Sequence, residues 1–239
     1  MKTCFLFLAL TCTYFYSGAQ ADTSYLNNIK AELVKKWPKN RTINLVFHGH
    51  SVPTGYFRTP DVRTLDAYPH QVLKDLKALY PYAVINSITT SIGGENSVQG
   101  AKRFKKDVLI HRPDVLFIDY ALNDRGLVPK DSIASLKKAY EATEKMVKAA
   151  LKQHIKVILL TPSPDTRENI LQANALLQLY ANQLTALAKK YNIGLVDSYA
   201  AFKKQVSEGR SLNELMAQVN HPNEKGHALI AQAIVAWFR

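Results

Sequence analysis

Five short apolar runs, at residues 43–47, 83–87, 115–119, 155–160 and 193–197, recur along the chain and constrain its fold more than any other feature. Each is too short for a helix and rich in Val and Ile, as buried strands are. Between them lie stretches of helical periodicity, such as Val72, Leu73, Leu76 and Leu79, or Ile133, Leu136, Ala139, Tyr140, Met146, Val147 and Leu151, and the long segment 168–191. Strands that alternate with amphipathic helices need crossover connections, which predicts a parallel sheet covered on both faces. A last helix is expected over 223–238, opening after Pro222 with Asn223 as its N-cap. The 239 residues show no internal repeat or low-complexity stretch, which suits one α/β domain.

The N-terminus reads differently. Lys2, an apolar block over 4–16 and the small residues Ser17, Gly18, Ala19 and Ala21 form the pattern of a secretory signal. The expectation is therefore a signal peptide over 1–21, a mature domain over 22–239, and a secreted or periplasmic location. The block is shorter than the roughly 18–20 residues that cross a bilayer, so stable membrane insertion is not expected. Lipidation at Cys12 fits poorly, because Ala9, Leu10 and Thr11 make a weak lipobox. Both cysteines, Cys4 and Cys12, fall in the leader, so the mature chain would carry no disulfide and no thiolate. The formal charge of +12 would attract anionic partners. Its lysines, however, are scattered along helix faces (Lys74, Lys102, Lys137, Lys148, Lys189) without an aromatic-interleaved patch, which reads as a solvated surface and no nucleic-acid partner.

In parallel sheets ligands bind beyond the carboxyl ends of the strands. The first run is followed there by His48-Gly49-His50-Ser51, the second by Thr89 to Asn96 with Gly93-Gly94, the third by Tyr120-Ala121-Leu122-Asn123-Asp124; past the last run comes Asn220-His221-Pro222-Asn223. A serine hydroxyl needs a neighbouring base to become a nucleophile, and Ser51 with His221 supplies that pair. The oxyanion of a tetrahedral intermediate needs aimed donors, and the N–H groups of Ser51 and Gly94 with the Asn123 amide are the candidates. His48 and His50 flank the same turn but lack a carboxylate or cysteine set, so no metal is expected. His227 is expected to pack or cap, Asp124 and Glu95 to hold their loops, and the stiff Thr161-Pro162-Ser163-Pro164-Asp165 turn to shape the rim. The sequon Asn40-Arg41-Thr42 is a triplet common by chance and carries no weight.

These four blocks, in this order, resemble the SGNH/GDSL hydrolases over nearly the whole mature chain. The resemblance implies an α/β fold, a three-layer α/β/α sandwich with a five-stranded parallel sheet of flavodoxin-like type. It also implies cofactor-free and metal-free ester hydrolysis by a serine nucleophile through an acyl-enzyme. Three positions depart from the family pattern. Gly49-His50-Ser51 stands for Gly-Asp-Ser, Ala121-Leu122-Asn123-Asp124 for Gly-x-Asn-Asp, and Gln218 occupies the place of the aspartate three residues before the catalytic histidine. An amide can hold an imidazole tautomer through its oxygen but cannot stabilise imidazolium by charge. Gln218, a backbone carbonyl or a carboxylate from elsewhere such as Asp197 are the candidates for orienting His221. Secretion, a basic surface and the lack of a lid-like apolar insertion favour O-acetyl groups on carbohydrate, that is, a small-molecule or glycan ester. Two alternatives stay open: a lysophospholipase or lipase-type acylhydrolase, and a non-catalytic glycan-binding protein on the same fold. A flavodoxin-like nucleotide binder would need a Gly-rich phosphate loop after the first strand, which is missing. The sequence fixes no oligomeric state.

Overall fold

The computed structural model describes residues 23–239; the expected leader over 1–21 lies outside them. After α1 (Asn27–Leu33), β1 (Thr42–Gly49) runs into the one-turn α2 (Ser51–Thr54), and α3 (Tyr68–Leu79) leads to β2 (Val84–Thr89). Then come α4 (Ser97–Asp107), β3 (Val115–Asp119), the short α5 (Ala121–Asp124), α6 (Ser132–Leu151), β4 (Lys156–Leu160), α7 (Leu176–Tyr191), β5 (Gly194–Val196) and α8 (Ser198–Ser207). The chain closes with β6 (Met216–Gln218), β7 (His221–Pro222) and α9 (Glu224–Val235). Strands β1 to β5 form one parallel sheet in the order β2-β1-β3-β4-β5, while β6 and β7 pair antiparallel outside it. The strand order reverses at β1, so a crevice opens between the carboxyl ends of β1 and β3.

Period-two alternation sorts the strand side chains into two cores. Leu45 and Phe47 of β1, Phe117 of β3 and Leu160 of β4 face α3, α8 and α9 and pack with Val72, Phe202, Ile230 and Ile234. Val46, Leu116, Val157 and Leu159 point the other way, onto Phe104, Met146, Val147 and Leu187 of α4, α6 and α7. Phe47 and Phe117, register partners on adjacent strands, stack with centroids 4.6 Å apart. Burying each such large apolar side chain contributes about 1.5–3 kcal/mol, so the paired faces fix which side of β1 looks inward.

The expected elements are present with informative shifts. Segment 168–191 is helical only from Leu176, because the Glu168 carboxylate reaches forward to accept the N–H groups of Leu176 and Leu177 and leaves 168–175 as turns. The last helix starts at Glu224, with the Asn223 side chain accepting from the Gly226 N–H, and its final residues tighten into a 3₁₀ turn, Ala236–Phe238. β2 lies at the sheet edge and is only half-buried. Among the described residues no helix is long and apolar enough to cross a membrane.

Candidate active site

The site begins with a close approach of two strands. A side chain at Gly49 would collide with the carbonyl oxygen of Asp119 on β3, so only glycine lets β1 run this far. His50 then caps α2, its ring Nδ1 accepting the Val52 N–H at 3.3 Å. Ser51 opens the helix and is buried. Its Oγ lies 3.0 Å from Nε2 of His221, which is brought from the far end of the chain by β7.

The other ring nitrogen of His221, Nδ1, lies 3.2 Å from the Phe57 carbonyl oxygen. A carbonyl only accepts, so Nδ1 carries the proton and Nε2 presents a lone pair to the Ser51 hydroxyl. Burial holds the His221 pKa below 6.5; the Phe57 carbonyl opposes that shift, and the neighbouring His50 adds to it. Neither side-chain candidate from the sequence orients the ring. The Gln218 Oε1 instead accepts the Thr59 N–H at 2.8 Å, and Asp197 caps α8 and accepts the Thr161 hydroxyl at 2.8 Å. Gln218 thus fastens the loop that carries the Phe57 carbonyl. The same loop is fixed by the Phe57 N–H to the Asp61 carbonyl, 3.1 Å, and by stacking of the Phe57 ring on His227 at 5.0 Å. His227 is buried, accepts the Tyr68 N–H through Nδ1, and has its pKa pushed down to about 3 by burial.

Gly94 adopts a left-handed φ of +78°, with open space where a side chain would stand. The Asn123 Nδ2 donates to the Glu95 carbonyl at 2.9 Å, which joins the loop after β2 to α5 and leaves the second amide hydrogen of Asn123 uncommitted by this bond. Beneath that loop is a buried polar cluster. The Glu95 carboxylate accepts from Arg103 Nε at 2.8 Å and Nη2 at 2.5 Å and from the Tyr120 hydroxyl at 2.8 Å. Burial raises the Glu95 pKa, but Arg103 and Tyr120 more than offset this and hold the carboxyl below its ordinary value. His48 completes the cluster, with Nε2 3.1 Å from the Tyr120 hydroxyl and Nδ1 3.0 Å from Thr90 Oγ1; burial pushes its pKa down to about 4. Asp124 accepts the Ser97 N–H at 2.8 Å and is raised by burial to about 6. Glu95 and Asp124 therefore hold loops. The turn 161–165 is fully buried, with Asp165 held by Arg125 and Arg167, and Thr166 N–H donates to the Val219 carbonyl just before His221.

Two features had little signal in the sequence. Phe57 acts through its main chain, which no residue type announces. Asp119 ends an apolar run; its Oδ1 lies 3.4 Å from His50 Nε2, and its Oδ2 accepts the Tyr68 hydroxyl at 3.1 Å. The register pairing of Gly49 with Asp119 is what places it there. Among the described residues, no group of three or more His, Cys, Asp or Glu could hold a metal ion. A cavity of about 630 Å³ lies beside the site, between the 57–63 loop and the start of α9, lined by Arg58, Pro60, Arg63, Glu214 and Lys225 among others and by none of Ser51, His221, Gly94 or Asn123.

Comparison with known proteins finds a family profile and similar folds. Residues 47–229 fit the profile of the GDSL-like lipase/acylhydrolase family. Similar solved structures include the acetylxylan esterase Axe2 of Geobacillus stearothermophilus, with a TM-score of 0.71 and 22% identity over 86% of this chain and 95% of that one. Catalytic mutants of that enzyme replace a serine, an aspartate and a histidine by alanine. A two-domain esterase active on acetylated mannans matches with a TM-score of 0.69 and 21% identity; this chain is covered to 90% and spans 53% of that one. No curated protein matches the sequence.

Proposed function

The chain belongs to the GDSL-like lipase/acylhydrolase family, and we propose that it hydrolyses carboxylic esters with Ser51 as nucleophile and His221 as general base. The observation that carries this reading is the buried line Ser51 Oγ, His221 Nε2, His221 Nδ1, Phe57 O, with separations of 3.0 and 3.2 Å. As Ser51 attacks the ester carbonyl, Nε2 takes its proton; the imidazolium then protonates the departing alkoxide, and in deacylation the same nitrogen activates water. The Phe57 carbonyl holds the tautomer throughout, in the place of a carboxylate. The N–H groups of Ser51 and Gly94 and the Asn123 amide serve the oxyanion, each donor worth about 3–4 kcal/mol in the transition state.

For substrate, we favour an O-acetyl group on a carbohydrate. The support is the kind of enzyme that shares the fold and the polar, charged lining of the cavity beside the site. We further propose that the domain is exported, from the leader pattern over 1–21. The test is turnover of p-nitrophenyl acetate and of acetylated xylo- or manno-oligosaccharide, with fluorophosphonate labelling alongside. Turnover and labelling lost together in Ser51→Ala support the reading. Labelling that survives Ser51→Ala, or glycan binding without turnover, refutes it.

A further inference from the structure

Ser51 has a second imidazole beside it. Its Oγ lies 3.4 Å from Nδ1 of His50, the residue standing where the family pattern has an aspartate. The Val52 N–H donates to that same Nδ1, so His50 is the tautomer with a lone pair on Nδ1 and a hydrogen on Nε2. Nε2 faces Oδ1 of Asp119 at 3.4 Å, and the Tyr68 hydroxyl fixes the other carboxylate oxygen. Both His50 and Asp119 are buried, and among the described residues neither His50 Nε2 nor Asp119 Oδ1 has a hydrogen-bond partner, so the two face each other at ion-pair distance without a formed hydrogen bond. The carboxylate missing beside His221 is thus present beside His50.

We propose that His50, backed by Asp119, is a second catalytic base for Ser51 that acts in acylation alone. The proposal rests on Ser51 being the nucleophile. In the step, the Ser51 oxygen forms a bond to the acyl carbon, the hydroxyl proton moves to His50 Nδ1, and the bond to the leaving oxygen breaks. Protonation deprives the Val52 N–H of its acceptor, which the Asp119 carboxylate offsets by facing the imidazolium it creates. His50 is 0% exposed, so it reaches neither a departing sugar oxygen nor a deacylating water. With a sugar ester His221 takes the Ser51 proton itself and passes it to the leaving oxygen, while the His50 route serves leaving groups that depart as anions, its proton returning to Ser51 Oγ when His221 activates water in deacylation. A leaving group that departs as a stable anion, such as p-nitrophenolate, needs no proton, and there the two bases separate.

The experiment is a burst assay on His221→Ala with p-nitrophenyl acetate, beside the double variants His221→Ala/His50→Asn and His221→Ala/Asp119→Asn. Asparagine retains a side-chain acceptor for the α2 cap, and thermal unfolding confirms that each variant folds. His221→Ala is expected to release about one equivalent of p-nitrophenolate and to accumulate acetyl-Ser51. Its acylation should be at least about 100-fold faster than that of His221→Ala/His50→Asn, the low end of what a positioned base contributes. Asp119→Asn should take away about tenfold or more of that rate, while His221→Ala stays inert toward a sugar acetate. Equal acylation by His221→Ala and His221→Ala/His50→Asn overturns the proposal while leaving Ser51 as nucleophile. A wild type whose acetylation does not depend on Ser51 overturns both readings, and if His50→Asn does not fold, the Asp119→Asn arm decides.

Discussion

Replacing Gln218 by aspartate restores the family's residue and measures what the Phe57 carbonyl already supplies. When a triad carboxylate becomes an amide and the wrong tautomer results, the loss in kcat is about 10⁴-fold. Here the tautomer is correct, since Nδ1 already donates to Phe57 O at 3.2 Å. What an aspartate can add is charge, and an opposite charge at 4–6 Å moves a pKa by about 1–3 units, or about 1.4 kcal/mol per unit. Gln218 pairs with His221 across the β6–β7 ladder, so the shorter carboxylate has reach. The cost is the acceptor of the Thr59 N–H, a group on an exposed residue where water can substitute. The expected result is an acid limb of kcat/KM that lies below pH 6.5 in the wild type, as burial of His221 dictates, and rises by at least one unit in Gln218→Asp. The gain in kcat should be on the order of tenfold. A gain of about 10³-fold or more would show that the Phe57 carbonyl does not hold the tautomer, and an unmoved limb would show that position 218 does not sense the ring.

Acid stability provides a second expectation. His48 and His227 have folded pKa values near 4 and 3, so below pH 6.5 the unfolded chain takes up two protons that the folded one refuses. Asp124, raised to about 6, takes up one in the folded state, and its contribution runs the other way. Among these three groups the net difference is one proton between pH 6 and 4, and stability should fall with falling pH by about 1.4 kcal/mol per unit, readable from urea midpoints. A flat profile there would contradict the burial of the two imidazoles. Separately, Glu95→Gln leaves the Arg103 guanidinium without its carboxylate in a buried cluster, which should cost about 3 kcal/mol or more in denaturant unfolding. It should also lower kcat more than it raises KM, because the Glu95 carbonyl positions Asn123.

Much of the fold was legible because the parallel sheet writes itself as bare apolar runs: all five strands overlap the runs, with ends displaced by up to two residues where polar or glycine positions extend the ladder, as at His48 and Gly49. The β6–β7 pair was not legible, being short and of mixed polarity. It matters because it delivers His221. Ser51 and His221 were legible as a pair, and the structure brings them together. Gln218 was legible only as a departure from a pattern, and its bond to the Thr59 N–H depends on a loop conformation that local residue types do not encode. The His50–Asp119 contact is not written in the local sequence for a different reason: it follows from strand register, and register is set by packing on both faces of the sheet.

The Phe57 carbonyl has a consequence for how such an enzyme can change over time. A catalytic carboxylate is a single codon, deleted or regained in one step. A main-chain oxygen belongs to every residue that could stand at position 57 and is lost only if the path of the chain is lost. Drift at 57 therefore never removes the acceptor itself but only one of its pins, the ring stacked on His227, and the selective burden on the path is shared with Gln218, which holds Thr59.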